Sequence, residues 1–270
     1  WGNIAYGLTT VPPAIKYRFF DETALRIDRS YDPIDGDFNG DGLTDVLWYA
    51  PGSGADTLWL DTGNRTFTTK ALMINGNYPD WFTGDFNGDG ATDIFWYAAG
   101  PTPDYIWFSN GNGTFRSVAR PVSGSYQAAG SFHFDGNSTN DIFWYAPGAA
   151  PDAIWLFRPD GTYVTKSKTV NGTYDGYAFD HNGDGLTDLI WWTENSANHL
   201  TWTATGSGNF QTGSVPSPGA GSFPLVGRYD ADQRTDILWY GPGSVPDAVA
   251  FADTGLSHLT KLSINGDFEP

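Results

Sequence analysis

The chain repeats itself about every 48 residues, and that period decides what it can fold into. Five stretches correspond: TDVLWYAPG from Thr44, TDIFWYAAG from Thr92, NDIFWYAPG from Asn140, TDLIWWTEN from Thr187 and TDILWYGPG from Thr235. Their first tryptophans stand at 48, 96, 144, 191 and 239. In the same phase, DTLWLDTGNRTF from Asp56, DYIWFSNGNGTF from Asp104 and DAIWLFRPDGTY from Asp152 each read as a strand, a Gly-containing tight turn and the start of another strand. A further strand then leads into the next acidic loop, so each unit is four short antiparallel strands. The 12 Trp, 14 Tyr and 18 Phe beside 34 Gly and 17 Pro suit that reading and leave little room for helix.

A single four-stranded sheet of this length cannot cover both of its faces, so each unit must pack on a neighbour. The expected fold is all-β: a β-propeller of about six four-stranded blades, with a seven-bladed-type ring or an open array as alternatives. The units run approximately over 1–34, 35–82, 83–129, 130–177, 178–226 and 227–270, within one domain spanning 1–270. The first of them is incomplete. AYGLTTVPPAI from Ala5 aligns with WYAPGAAPDAI from Trp144, and what is missing is the first strand and its loop. An unfilled edge is a template for pairing, which admits closure within the chain or by another copy, in a homo-oligomer.

The formal charge of −17 and the pI near 4.2 argue against nucleic acid or an anionic membrane as partner and favour a cation. With no cysteine, disulfides, thiol nucleophiles and cysteine zinc sites are excluded. No apolar run has the length of a membrane span, and a chain opening on Trp1 reads as a mature or trimmed product. The expected location is extracellular.

The cation has a place to go. In GDFNGDGLTD, Asp37, Asn39, Asp41 and Asp45 take positions 1, 3, 5 and 9 of a nine-residue loop, with Gly42 at position 6 and the Leu43 carbonyl at position 7. Alternate side chains of a tight turn converge on one point, and oxygen-only donors suit Ca²⁺ ahead of Mg²⁺ or zinc. The second loop repeats the set as Asp85, Asn87, Asp89, the Ala91 carbonyl and Asp93. The fourth supplies Asp180, Asn182, Asp184, the Leu186 carbonyl and Asp188. About three calcium ions are expected.

Two copies depart from the pattern. In the third, Ser131 and His133 are read at positions 1 and 3 of a loop two residues longer, leaving Asp135 and Asp141, and no ion is expected. In the fifth, Arg228 takes position 1 beside Asp230, Asp232 and Asp236, Gln233 replaces the glycine, and the guanidinium is expected to neutralise the carboxylates.

The recurring DxNxDGxxD loop followed by an aromatic strand resembles the FG-GAP/VCBS repeat family, over essentially the whole chain. The resemblance implies integrin-α-like calcium-binding propeller repeats, with calcium held between the first two strands of a blade and ligands only in the three complete loops.

His133, His181, His199 and His258 lie in different units at unrelated phases, so no histidine-based catalytic set is legible and no enzyme is expected. His181, at position 2 of its loop, is expected to face solvent. Two aromatic sets recur: Tyr49, Tyr97, Tyr145, Trp192 and Tyr240 on the second strand, and Trp59, Trp107 and Trp155 on the third. Either could line equivalent sugar pockets; the ligand itself is not legible. The expected function is a secreted, calcium-binding adhesion or carbohydrate-binding module for glycans or an extracellular protein surface. The alternatives are a structural protein assembling by strand donation and a polysaccharide-active enzyme such as a lyase.

Overall fold

The computed structural model describes residues 31–262. The chain divides into two compact units, Trp1–Tyr31 and Asp32–Pro270, and every described strand belongs to the second. Most of the incomplete unit read over 1–34, and the chain end at 263–270, lie outside the described residues.

Twenty strands form five four-stranded antiparallel sheets, each in simple sequential order. Sheet one holds β1 (Asp32–Gly36), β2 (Asp45–Tyr49), β3 (Asp56–Asp61) and β4 (Phe67–Leu72). Sheet two holds β5 (Asp80–Gly84), β6 (Asp93–Tyr97), β7 (Tyr105–Ser109) and β8 (Phe115–Ala119). Sheet three holds β9 (Gln127–Phe132), β10 (Asp141–Tyr145), β11 (Asp152–Phe157) and β12 (Tyr163–Lys168). Sheet four holds β13 (Asp175–Phe179), β14 (Asp188–Trp192), β15 (Asn198–Ala204) and β16 (Phe210–Pro216). Sheet five holds β17 (Phe223–Gly227), β18 (Asp236–Tyr240), β19 (Asp247–Ala250) and β20 (Leu259–Leu262). Among the described residues helix is confined to a 3-10 turn at Ala252–Thr254, and none is long and apolar enough to cross a membrane.

The unit boundaries at 35, 83, 130, 178 and 227 fall inside β1, β5, β9, β13 and β17. A period fixes spacing but not phase. The strand before each acidic loop pairs with the strand after it, as Asp80 with Tyr97 through Gly84 with Asp93, so each sheet begins a few residues ahead of the sequence unit.

The second strands carry the core. In β6, β10 and β14 every residue is buried, because alternate side chains point to opposite faces and each face meets another sheet. Apolar clusters accordingly lie between consecutive sheets, one for each of the four junctions. Among the first strands, β5 approaches both β1 and β9, and β13 approaches β17. Trp96 sits 5.0 Å from Tyr49 of the preceding sheet and Trp144 sits 5.1 Å from Tyr97, so the repeated WY pair is an inter-sheet contact. Truncating such a tryptophan costs about 3–5 kcal/mol.

This settles the Tyr49 set as frame, not ligand surface. Tyr49, Tyr97, Tyr145, Trp192 and Tyr240 are all buried. The Tyr49 hydroxyl donates to the Gly76 carbonyl at 3.1 Å and accepts from the Tyr78 N–H at 2.9 Å, and Tyr145 does the same with Gly172 and Tyr174, both at 2.9 Å. Buried aspartates at the third-strand starts tie each turn down as well. Asp56 accepts from the N–H groups of Ala50 and Ile74, Asp104 from Ala98 and Val122, and Asp152 from Ala146 and Val170.

Candidate functional site

Each acidic loop joins the first two strands of its sheet, where its backbone must reverse sharply. Gly42, at position 6, has φ of 84°, a left-handed conformation that only glycine adopts freely. In loop one, Asp37 accepts from the N–H groups of Gly40, Asp41 and Gly42 at 2.7, 3.1 and 2.7 Å, while Asn39 Nδ2 donates to Asp41 at 2.9 Å. Loop two reproduces this: Asp85 accepts from Gly88, Asp89 and Gly90, and Asn87 donates to Asp89. Loop four keeps the Asp180 bonds to Gly183 and Gly185 and the Asn182–Asp184 contact. Positions 1, 3 and 5 therefore share one turn, as the spacing requires. Leu43, Ala91 and Leu186 stand at position 7, their N–H groups bonded to the position-5 carboxylates.

Position 9 has a second task that sequence reasoning missed. Asp45 accepts from the N–H of Phe38 at 2.8 Å and of Asp61 at 2.9 Å, joining the loop to the end of β3. Asp93 does so with Phe86 and Ser109, Asp141 with Phe134 and Phe157, Asp188 with His181 and Ala204, and Asp236 with Tyr229 and Ala252. All five carboxyls are buried. The invariance of this aspartate across the five loops, complete or not, was the signal.

Position 8 links the sheets. The N–H of Asp37 donates to Thr92 Oγ1 at 2.9 Å and its carbonyl accepts from the Thr92 N–H at 2.7 Å. Asp85 with Asn140, His133 with Thr187, and Asp180 with Thr235 repeat this exchange at the following junctions.

That exchange also corrects the reading of loop three. His133 occupies the place of Asp37, and Phe134 bonds Asp141 across the same seven-residue interval as Phe38 and Asp45. The loop therefore has nine residues, with His133, Asp135, Asn137, Thr139 and Asp141 at positions 1, 3, 5, 7 and 9. β9 itself carries one extra residue as a β-bulge, where pairing shifts between Ile142 and Trp144 and Gly130 has φ of 93°.

Loop three keeps one carboxylate among positions 1, 3 and 5: Asp135 accepts from the N–H and the Nδ2 of Asn137, both at 3.1 Å. Asn140 accepts from the Asp85 N–H at 2.8 Å, and its Nδ2 lies 3.3 Å from His133 Nε2. His133 Nδ1 lies 3.2 Å from the Thr139 carbonyl. A proton on Nδ1 satisfies both ring contacts, and the position-7 carbonyl is thereby occupied by imidazole. Asn137 and Thr139 donate to the Phe157 carbonyl at 2.8 and 2.9 Å.

Loop five also differs from expectation. Asp230, Asp232 and Asp236 bring carboxylate oxygens within 4.8 Å of one another, the one such acidic trio among the described residues. Among those residues no ion pair joins Arg228 to them; Arg234 Nε lies 3.9 Å from Asp232. With arginine at position 1, the carboxylate that gathers the loop N–H groups elsewhere is missing. Gln233 nevertheless keeps the left-handed backbone, at φ of 76°, a cost of about 1–2 kcal/mol for a non-glycine residue. His181 is also redirected: its ring stacks on Phe179 and its Nδ1 sits 2.5 Å from Asp188, so it faces inward.

The chemistry of the complete loops fits a hard cation. Burial, with added repulsion from Asp89 and Asp85, pushes the Asp93 carboxyl up to about 8 against the bonds from Ser109 and Phe86. Asp45 is raised by burial too, with Asp41 and Asp37 adding. Among the described residues no ion pair offsets the carboxylates of loops one and two. Asp37, Asn39 and Asp41, and their counterparts in loops two and four, could hold a cation through oxygen alone, with position 9 supplying charge from behind.

Away from the loops, paired aromatics line grooves between the outer strands. Lys70, Trp107 and Phe115 border one of about 320 Å³, and Lys168, Trp202 and Phe210 its counterpart two repeats on, of about 310 Å³. Between these, Arg120 lies 5.9 Å over Tyr163, which stacks on Trp155 at 4.1 Å.

No curated protein sequence matches the chain. Among solved structures, a lectin from Agrocybe aegerita, described as specifically recognising non-reducing terminal N-acetylglucosamine, superposes with a TM-score of 0.66 at 19% identity. The match covers 81% of this chain and 62% of the lectin chain, so the protein spans under two thirds of that relative. The Tc holotoxin pore of Photorhabdus luminescens matches with a TM-score of 0.48 at 16% identity, over 89% of this chain and 13% of the other. The FG-GAP-like repeat model matches residues 37–96, 85–134 and 180–239, more than half of the sequence and including all three complete loops. The chain belongs to the FG-GAP-like repeat family.

Proposed function

We propose that this protein is a secreted β-propeller of about six blades that binds glycans, stabilised by about three calcium ions, and performs no catalysis of its own. The observation that carries the reading is the recurrence of aromatic pairs bordering equivalent grooves, Trp107 with Phe115 and Trp202 with Phe210, each beside a lysine and, apart from the buried Trp202, partly exposed. Aromatic faces stack on the C–H face of a sugar ring while neighbouring polar groups meet its hydroxyls. The lectin of like fold supports this choice of ligand.

In this reading calcium is structural. It neutralises the carboxylates of loops one, two and four, and position 1 of each loop is bonded to position 8 of the next, so the ion braces the junctions. Loop three, closed by His133, takes none. Loop five, with its Asp230, Asp232 and Asp236 trio, is the place where a further ion would show.

A glycan array run in calcium and in chelator tests the function. Binding of defined glycans that weakens on chelation is expected. No glycan bound in calcium, or sustained cleavage of a bound polysaccharide, would replace the reading.

A further inference from the structure

The junction between sheets three and four holds a cavity of about 480 Å³, and comparison with the other junctions shows what opens it. Asp80, Asp175 and Phe223 are equivalent residues, facing Tyr97, Trp192 and Tyr240 in their sheets. The next residue is Trp81 in sheet two, Gly176 in sheet four and Pro224 in sheet five. Between sheets one and two, Trp81 packs on Tyr49 at 6.1 Å. Between sheets four and five, Phe223 packs on Trp192 at 5.0 Å. The two positions are Gln127 and Ala128 in sheet three and Asp175 and Gly176 in sheet four, so neither sheet carries an aromatic there, and at the junction of sheets three and four the equivalent tyrosine, Tyr145, lines open space.

What borders that space is chemically mixed. Half-buried Tyr174 and Tyr177 provide ring surface over a floor of buried Tyr145 and Trp191, while exposed Asp175 and Gln127 bring a carboxylate and a carboxamide. The buried indole N–H of Trp191 lacks an acceptor, but so do those of Trp96, Trp144 and Trp239, so it belongs to the repeated frame. Tyr145 is held rigid by its bonds to Gly172 and Tyr174, which makes the walls largely preformed. The volume lies in the range of small-ligand sites.

We infer that this cavity is a site for one pyranose ring, opened by Gly176 where sheet two carries Trp81, and distinct from the outer grooves. The inference rests on the proposed glycan function and assigns it a place. The ring lies against the Tyr174 and Tyr177 faces, and Asp175 and Gln127 bond its hydroxyls.

The test titrates methyl glycosides of glucose, galactose and mannose, and their 2-acetamido forms, into the calcium-loaded protein by calorimetry, with choline chloride as the cationic probe. The expected result is one strong site per chain for a glycoside, weakened at least tenfold by Gly176→Trp and by Tyr174→Ala. Leu225→Ala, exposed on β17 and outside the grooves described, should leave it intact. Sheet two accommodates tryptophan at this place, so Gly176→Trp is expected to fold, with near-UV circular dichroism as the check; should it fail, Tyr174→Ala decides alone. Glycoside binding unchanged in the folded variants would overturn the cavity assignment and leave the glycan reading standing. Absence of glycoside binding to the wild type, or binding of choline alone, would overturn both.

Discussion

In the second acidic loop position 1 is Asp85, whose carboxylate collects the N–H groups of Gly88, Asp89 and Gly90; in the third it is His133, whose ring spans from Asn140 to the Thr139 carbonyl. Both loops have nine residues, both are bonded to the next sheet through position 8, and both end on a buried aspartate that accepts two backbone N–H groups. One sets two carboxylates, Asp85 and Asp89, among positions 1, 3 and 5; the other sets one, Asp135, between a histidine and an amide. The frame is thus common to both loops, while the charge gathered in the turn differs.

Calcium removal should produce the largest effect. At a hundredfold excess over Kd each bound ion adds about 2.7 kcal/mol, so chelation should lower the melting temperature markedly. Asp89→Ala should reduce that calcium response, whereas Asp135→Ala should keep it whole. Equal responses in the two variants would erase the distinction between the loops.

Position 9 should behave alike in both. Asp141→Ala strands two buried N–H groups and should cost about 3 kcal/mol in urea unfolding, with or without calcium, since each unmet group costs about 1–3 kcal/mol. A cost below about 1 kcal/mol would mean that the two bonds do not hold the sheet.

A smaller effect concerns pH. Burial, with the Asp135 charge adding, holds the Asp141 carboxyl up at about 7 against an unperturbed 3.8. Between those values the folded state keeps a proton that the unfolded chain releases, so this residue's contribution to stability is full below 3.8 and declines as pH rises through about 7. In saturating calcium, Asp141→Asn should flatten the decline measured from pH 5 to 8; an unchanged slope would place the titration elsewhere.

The least effect is expected at the junctions. Thr187→Val removes the acceptor for the His133 N–H and should cost about 1 kcal/mol, the same as Thr92→Val for Asp37. A much larger loss at Thr187 would show that the third loop leans on its neighbour more than the complete ones do.

Much of this was legible in the linear chain, and the failures are instructive. The strand pattern and the loop positions followed from the period. Loop three was misaligned by two residues because the boundary between strand and loop is not legible until pairing partners are known. Arg228 was assigned to the carboxylates on proximity in sequence, while Arg234 lies nearer to them in space. The aspartates at 56, 104 and 152 were read only as the start of a strand, since nothing local reveals that they are buried against distant N–H groups.

Sequence by itself determined that the molecule is built from repeated antiparallel sheets and that three loops can surround a hard cation, because alternation and turn spacing are short-range properties. Only tertiary structure decided that the position-9 aspartate fastens its loop to the third strand, that the Tyr49 set is buried, and that Gly176 leaves space where Trp81 fills it. Those depend on what the next sheet brings to the same point, and packing between sheets is a long-range fact that no repeat states about itself.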